Sequence, residues 1–231
     1  MANVDIYRGR DPRDVPTYSI REAASYMRLP PTTLREWVNG PARVIRLAGG
    51  RPPLLSFWNL VEAYVLAALR RRHQVPLQRV RKALRFLERE LDTERPLIEQ
   101  EFLTDGLDLF VDYYGKLVNA SRAGQTEIRS LLEASLERVE RDPRGLAERL
   151  FPWAREPDDP REVELDPRRA FGKLVIAGTG ILTAVIAERL RAGDTAGAPG
   201  QGLPLDAQSG RGGTAVGAGC ADRCPGPLTL H

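Results

Sequence analysis

Between residues 18 and 38, apolar positions recur at helical spacing in two short bursts. Ile20, Ala23, Ala24 and Met27 fall on one stripe, and Leu34, Trp37 and Val38 on a second. Ser19 with Glu22 predicts a capping box before the first burst, the hydroxyl taking an orphan amide and the carboxylate reaching back. Pro30 and Pro31 separate the bursts, because proline lacks the amide donor and clashes with the preceding turn. Thr32 or Thr33 then opens a second helix that leaves Thr33, Arg35, Glu36 and Asn39 outward. Two short crossed helices of this kind form a helix-turn-helix, which seats its second helix in a major groove.

The pattern then changes period. Residues 43–47 and 54–57, separated by Gly49 and Gly50, predict a two-stranded hairpin that would act as a wing. Residues 58–72 predict a helix burying Leu60, Val61, Tyr64, Val65 and Ala68, and residues 77–91 a second helix burying Val80, Leu84, Leu87 and Leu91. The second helix turns Gln78, Arg79, Arg81, Lys82 and Arg85 outward. Residues 98–103, 107–113 and 116–119 read as short strands with turns at Asp105-Gly106 and Tyr114-Gly115. A helix over 125–141 follows, then a proline-rich acidic linker, an extended segment to Ile181 and a helix over 183–192. From 194 to 231 periodicity is lost in glycine, proline and alanine, a composition that cannot offset its ordering entropy, so a disordered tail is expected. The fold class is mainly α with small β. Its expected domains are 15–91 (winged helix-turn-helix), 95–153 (β-hairpin plus helix), 161–193 (a small C-terminal domain) and the tail 194–231.

Charge sharpens this division. Residues 1–90 carry 17 Arg/Lys against 8 Asp/Glu, a balance of +9, whereas residues 91–170 carry 12 against 19, a balance of −7. A basic front points to an anionic partner, and an acidic middle to a different task. Within that front, Thr32, Thr33 and Arg35 on the second helix and Arg43, Arg46 and Arg51 around the wing are the expected DNA contacts. The N-terminus lacks an apolar signal core and no run is long enough to span a membrane, so a cytoplasmic protein is expected.

Other chemistry finds little footing. Gly178 and Gly180 begin a dinucleotide-loop pattern, but Thr183 stands where a third glycine is needed, so a strand-to-helix turn is the better reading. Cys220 and Cys224 lack ligand companions at zinc spacing, and His73 ends an arginine run as a surface cation. Asp105, Asp108 and Asp112 read as solvated acids rather than a metal cluster. No nucleophile–base set can be assembled; neither an enzyme nor a cofactor is expected.

Residues 18–91 resemble the MerR-like winged helix-turn-helix group, through Ser19, Glu22-Ala23-Ala24, Thr33-Leu34-Arg35, Trp37 and Val75-Pro76-Leu77 with Val80-Arg81. Residues 95–193 resemble the matching part of VapB-type antitoxins, through Phe102 to Gly106, Asn119 with Ser121 and Gln125, Asp166-Pro167, Phe171-Gly172 and Ile176 to Ile181. The resemblance implies a type II toxin–antitoxin protein that binds its own promoter and neutralises a cognate PIN-type nuclease toxin. A dimer is expected, reading a palindrome with two helices about one helical turn apart. The alternative is a MerR-like regulator without a toxin. The family pattern departs at Asp194, where a leucine-bearing helical segment is expected; the tail is read as a frameshifted form of it, which the nucleotide sequence tests.

Overall fold

The computed structural model describes residues 7, 9–41, 43–47, 51–72, 77–99, 102–154 and 159–193. Residues 1–193 form one compact unit. The expected disorder of the tail, its cysteines and His73 lie outside the described residues. In chain order the elements are β1 (Tyr18–Ser19), α1 (Ile20–Tyr26), α2 (Pro31–Asn39), β2 (Leu54–Leu55), α3 (Phe57–Arg72) and α4 (Leu77–Glu90). A 3₁₀ turn (Pro96–Ile98) and a π-helical turn (Phe102–Gly106) lead to α5 (Leu107–Val118) and α6 (Arg122–Leu136). β3 (Val139–Arg141), β4 (Ala147–Leu150), β5 (Val163–Glu164), a second 3₁₀ turn (Ala170–Gly172), β6 (Val175–Ile176) and α7 (Thr183–Arg191) complete it. The expected mainly α class with small β holds, and among the described residues there are three sheets, each two-stranded and antiparallel.

α3 is the axis of the unit. Every position from Asn59 to Leu69 is buried, so this helix is covered on all sides rather than along one stripe. α6 and the first 3₁₀ turn pack on it, while α4 packs on α5 and α5 on α6. One hydrophobic cluster runs from Tyr18 through Leu60, Leu84, Phe110 and Leu132 to Leu174. Among the described residues, no helix is long and apolar enough to cross a membrane.

The expected hairpin of 43–47 with 54–57 does not form: Leu54 and Leu55 pair instead with Ser19 and Tyr18. Residues 44 and 45 have no amides to offer a ladder, since both donate to the Trp37 carbonyl, at 2.9 and 3.1 Å. Of the strands expected over 98–103, 107–113 and 116–119, residues 102–118 are helical instead, and Glu99 makes only an isolated bridge to Leu146. Leu107, Phe110, Val111, Tyr114 and Gly115 are buried at helical spacing, and Asn119 closes α5 in the left-handed region at φ 55°. Ser121 caps α6 by accepting from the Gly124 amide at 3.2 Å. The β-hairpin of this region lies over 139–150, where the helix expected to reach 141 has already stopped at Leu136. Its turn is held by Asp142, whose Oδ1 accepts from the amides of Arg144 and Leu146 at 2.9 and 3.0 Å.

Between β6 and α7, Gly178 takes φ +74° and Thr179 closes the turn on the Ile176 carbonyl, as the strand-to-helix reading requires. α7 buries none of its residues, leaving Val185, Ile186 and Leu190 exposed.

Candidate nucleic-acid interface

The helix-turn-helix is assembled from the residues that defined it in sequence. Ser19 accepts from the Glu22 amide at 3.2 Å and starts α1. The reciprocal half of the capping box is absent, because the Glu22 carboxylate accepts from the Tyr26 hydroxyl at 2.8 Å and from Lys173 Nζ at 2.5 Å. α1 ends at Tyr26 with Met27 as its cap; Arg28 turns the chain at φ 51°, and the Leu29 amide donates to the Ala24 carbonyl at 2.8 Å. Pro30 caps α2 through its carbonyl, which accepts from Thr33 and Leu34, and Pro31 takes the first helical position, where a missing amide costs nothing. Ala23 and Ala24 are fully buried, and their small side chains let the two helices approach closely.

α2 buries Leu34, Trp37 and Val38 and turns Thr32, Arg35, Glu36 and Asn39 to solvent, with Thr33 half-buried at its first turn. Its outward face therefore carries two hydroxyls, a guanidinium and an amide, groups that can donate to phosphates or base edges. Arg43 and Arg46 are exposed on the segment that folds back onto α2. That segment is pinned from behind by Asn59, whose side-chain amide donates to the Arg46 carbonyl at 2.9 Å. Arg43 and Arg46 face α4 across a cleft of about 280 Å³, whose far wall carries Arg81, Leu84, Arg85 and Glu88. Arg46 pairs there with Glu88 at 2.7 Å, and Arg81 donates to the Pro41 carbonyl at 3.0 Å. Arg51 is exposed before β2 and does not line this cleft.

The structure thus brings Arg43 and Arg46 together and sets Thr32, Thr33 and Arg35 on the adjoining helix. Arg81 and Arg85 were read only as outward positions of a helix; their four-residue spacing puts them on one side of α4, but only the fold supplies the facing arginines. The aspartates 105, 108 and 112 lie on or beside α5, where Asp108 pairs with Arg129 of α6.

A short helix with an exposed polar face, packed on a second short helix that buries one stripe, is the arrangement of a helix-turn-helix. A family model described as "Putative DNA-binding HTH domain" matches residues 16–84, and one described as "Protein of unknown function (DUF433)" matches residues 163–198. The chain is 30% identical over 210 residues to a protein of Mycobacterium tuberculosis named "Putative antitoxin VapB45", covering 79% of this chain and 85% of the relative. The X-ray crystal structure of Rv2018 from Mycobacterium tuberculosis superposes with a TM-score of 0.62 at 28% identity, covering 78% of this chain and 89% of that one. The chain belongs to the VapB antitoxin family represented by that relative.

Proposed function

We propose that this protein is the DNA-binding antitoxin of a type II toxin–antitoxin module, repressing its own promoter and neutralising a cognate PIN-type nuclease toxin. The outward face of α2 carries the reading: Thr32, Thr33 and Arg35 are exposed or half-exposed on a helix whose other side is locked into the core. In this reading α2 enters the major groove, Arg35 meets a base edge, and Arg43, Arg46 and Arg51 take the flanking phosphates. A homodimer places two such helices on successive turns of a palindrome. Family membership supports the antitoxin role, and the toxin is assigned to the neighbouring gene.

Fluorescence anisotropy with a duplex spanning the protein's own promoter, and a scrambled duplex of equal length, tests the DNA half. Arg35→Ala is expected to lower promoter affinity by about tenfold and reduce the preference over scrambled DNA, at about 1–3 kcal/mol per base contact. Unchanged preference would remove α2 from the groove. Co-expression with the adjacent reading frame tests the other half: growth arrest that this protein does not relieve would leave a DNA-binding regulator without a toxin.

A further inference from the structure

We infer that the cleft between residues 43–46 and α4 is a phosphate clamp, through which α4 grips the DNA backbone beside the groove that α2 enters. The inference rests on the DNA-binding reading above and extends the contact to Arg81 and Arg85. Four arginines, Arg43, Arg46, Arg81 and Arg85, line one cleft with a single acidic residue among the described residues, Glu88. Such crowding of like charge is unfavourable in isolation and is relieved by a bound polyanion. Arg43 and Arg85 form no ion pair among the described residues, so their donors stand ready for a ligand. Guanidinium forks suit phosphate oxygens in particular, because two parallel N–H donors match two oxygens.

The position of the cleft points to duplex DNA rather than a free anion. One wall donates the amides of Val44 and Ile45 to Trp37 of α2, and the other is tied by Arg81 to Pro41, two residues beyond the end of α2. The cleft is therefore fixed rigidly to the recognition helix. Its charge continues along α4, where Arg79, Lys82 and Arg89 are exposed while Leu77, Val80, Ala83, Leu84 and Leu87 are buried. From Arg79 to Arg89 this face spans roughly 15 Å at 1.5 Å per residue, several phosphate steps of a DNA strand. Glu88 has a definite part: it holds Arg46 at 2.7 Å in the free protein, and DNA must displace it.

The test uses the full chain and the two duplexes above, with binding followed across a salt series. Arg85→Glu, and the milder Arg85→Gln, are expected to weaken promoter and scrambled DNA alike, about tenfold for the reversal, and to lower the salt slope by about one. Glu88→Gln is expected to tighten both about three- to tenfold at low salt by freeing Arg46. Circular dichroism melts confirm that the variants fold. If Arg35→Ala weakens promoter binding while both Arg85 variants and Glu88→Gln leave affinity and slope unchanged, the clamp is wrong and the helix-turn-helix reading stands. If the Arg85 variants instead lose only a co-expressed toxin, the cleft belongs to a protein partner and the clamp is again overturned. If the native chain binds neither duplex, the DNA-binding reading itself falls and takes the clamp with it.

Discussion

Arg13 is fully buried, and its guanidinium is shared between Asp11 at 2.6 Å and Asp142 at 2.8 Å, with the Trp58 ring 5.3 Å away. This ties the segment before β1 to the β3–β4 turn. Burial pushes the Asp142 carboxyl up, but the Leu146 amide, the Arg13 guanidinium and the Arg144 amide outweigh it and bring it to about 2 from an ordinary 3.8. A carboxylate held below its unfolded value stabilises the fold above that value and ceases to as pH falls through the folded one. Stability is therefore expected to drop by on the order of 1–2 kcal/mol between about pH 4 and pH 2 from this group. Urea titrations across that range should show the drop, and Asp142→Asn should flatten it; equal slopes in both proteins would assign the acid sensitivity elsewhere. A second residue-scale joint is Gly172, at φ +72°, whose carbonyl accepts from the buried Tyr18 hydroxyl at 2.9 Å. A Cβ there would run into that hydroxyl. Gly172→Ala is expected to cost about 2–4 kcal/mol, from left-handed strain plus an orphaned buried hydroxyl. In a Tyr18→Phe background the same change should cost less, which a double-mutant cycle by urea denaturation measures.

At the scale of elements, what was legible follows the physics of one-sided burial. α2 and α4 each hide one face, so Leu34, Trp37 and Val38, and Val80, Leu84 and Leu87, gave both helices away with their outward residues. α3 was found but its depth was not, because a helix covered all round leaves no polar face to mark where its neighbours sit. α5 was misread as strands: aromatic and β-branched residues beside Asp105-Gly106 and Tyr114-Gly115 mimic hairpin chemistry. In the fold Gly115 makes no turn; a Cβ there would stand 2.9 Å from the Gln125 side chain, so glycine lets α5 and α6 close on each other. β2 was misassigned because its partner is Tyr18–Ser19, far back in the chain, where local pattern cannot see it. The expected DNA-contact residues were legible as types on a helix and a basic segment. Arg81 and Arg85 were not, since a basic helix face looks like ordinary solvated surface until Arg43 and Arg46 appear across the cleft.

At the scale of the whole molecule, the helix-turn-helix is stitched to the far end of residues 1–193. Tyr18 reaches Gly172, Glu22 pairs with Lys173 at 2.5 Å, and the Trp153 indole donates to the Tyr26 carbonyl at 2.9 Å, all three on β1 or α1. From the core side, α3 packs against α6, and the Trp58 indole donates to the Ala147 carbonyl of β4 at 3.2 Å. Cutting the chain after residue 91 would strip α3 of its α6 cover, expose apolar side chains worth about 1.5–3 kcal/mol each, and orphan the Tyr18 hydroxyl. Against a net stability of about 5–15 kcal/mol, a few such losses suffice to unfold a domain of that size. The excised segment 15–91 is therefore expected to lack a cooperative thermal transition and dispersed amide resonances, while the full chain shows both. A fragment that melts sharply and binds the promoter as tightly as the full chain would establish the helix-turn-helix as an independent domain. If instead it fails to fold, substitutions around Gly172 and Lys173 must weaken DNA binding through the stability of α1, although neither residue lies on the outward face of α2.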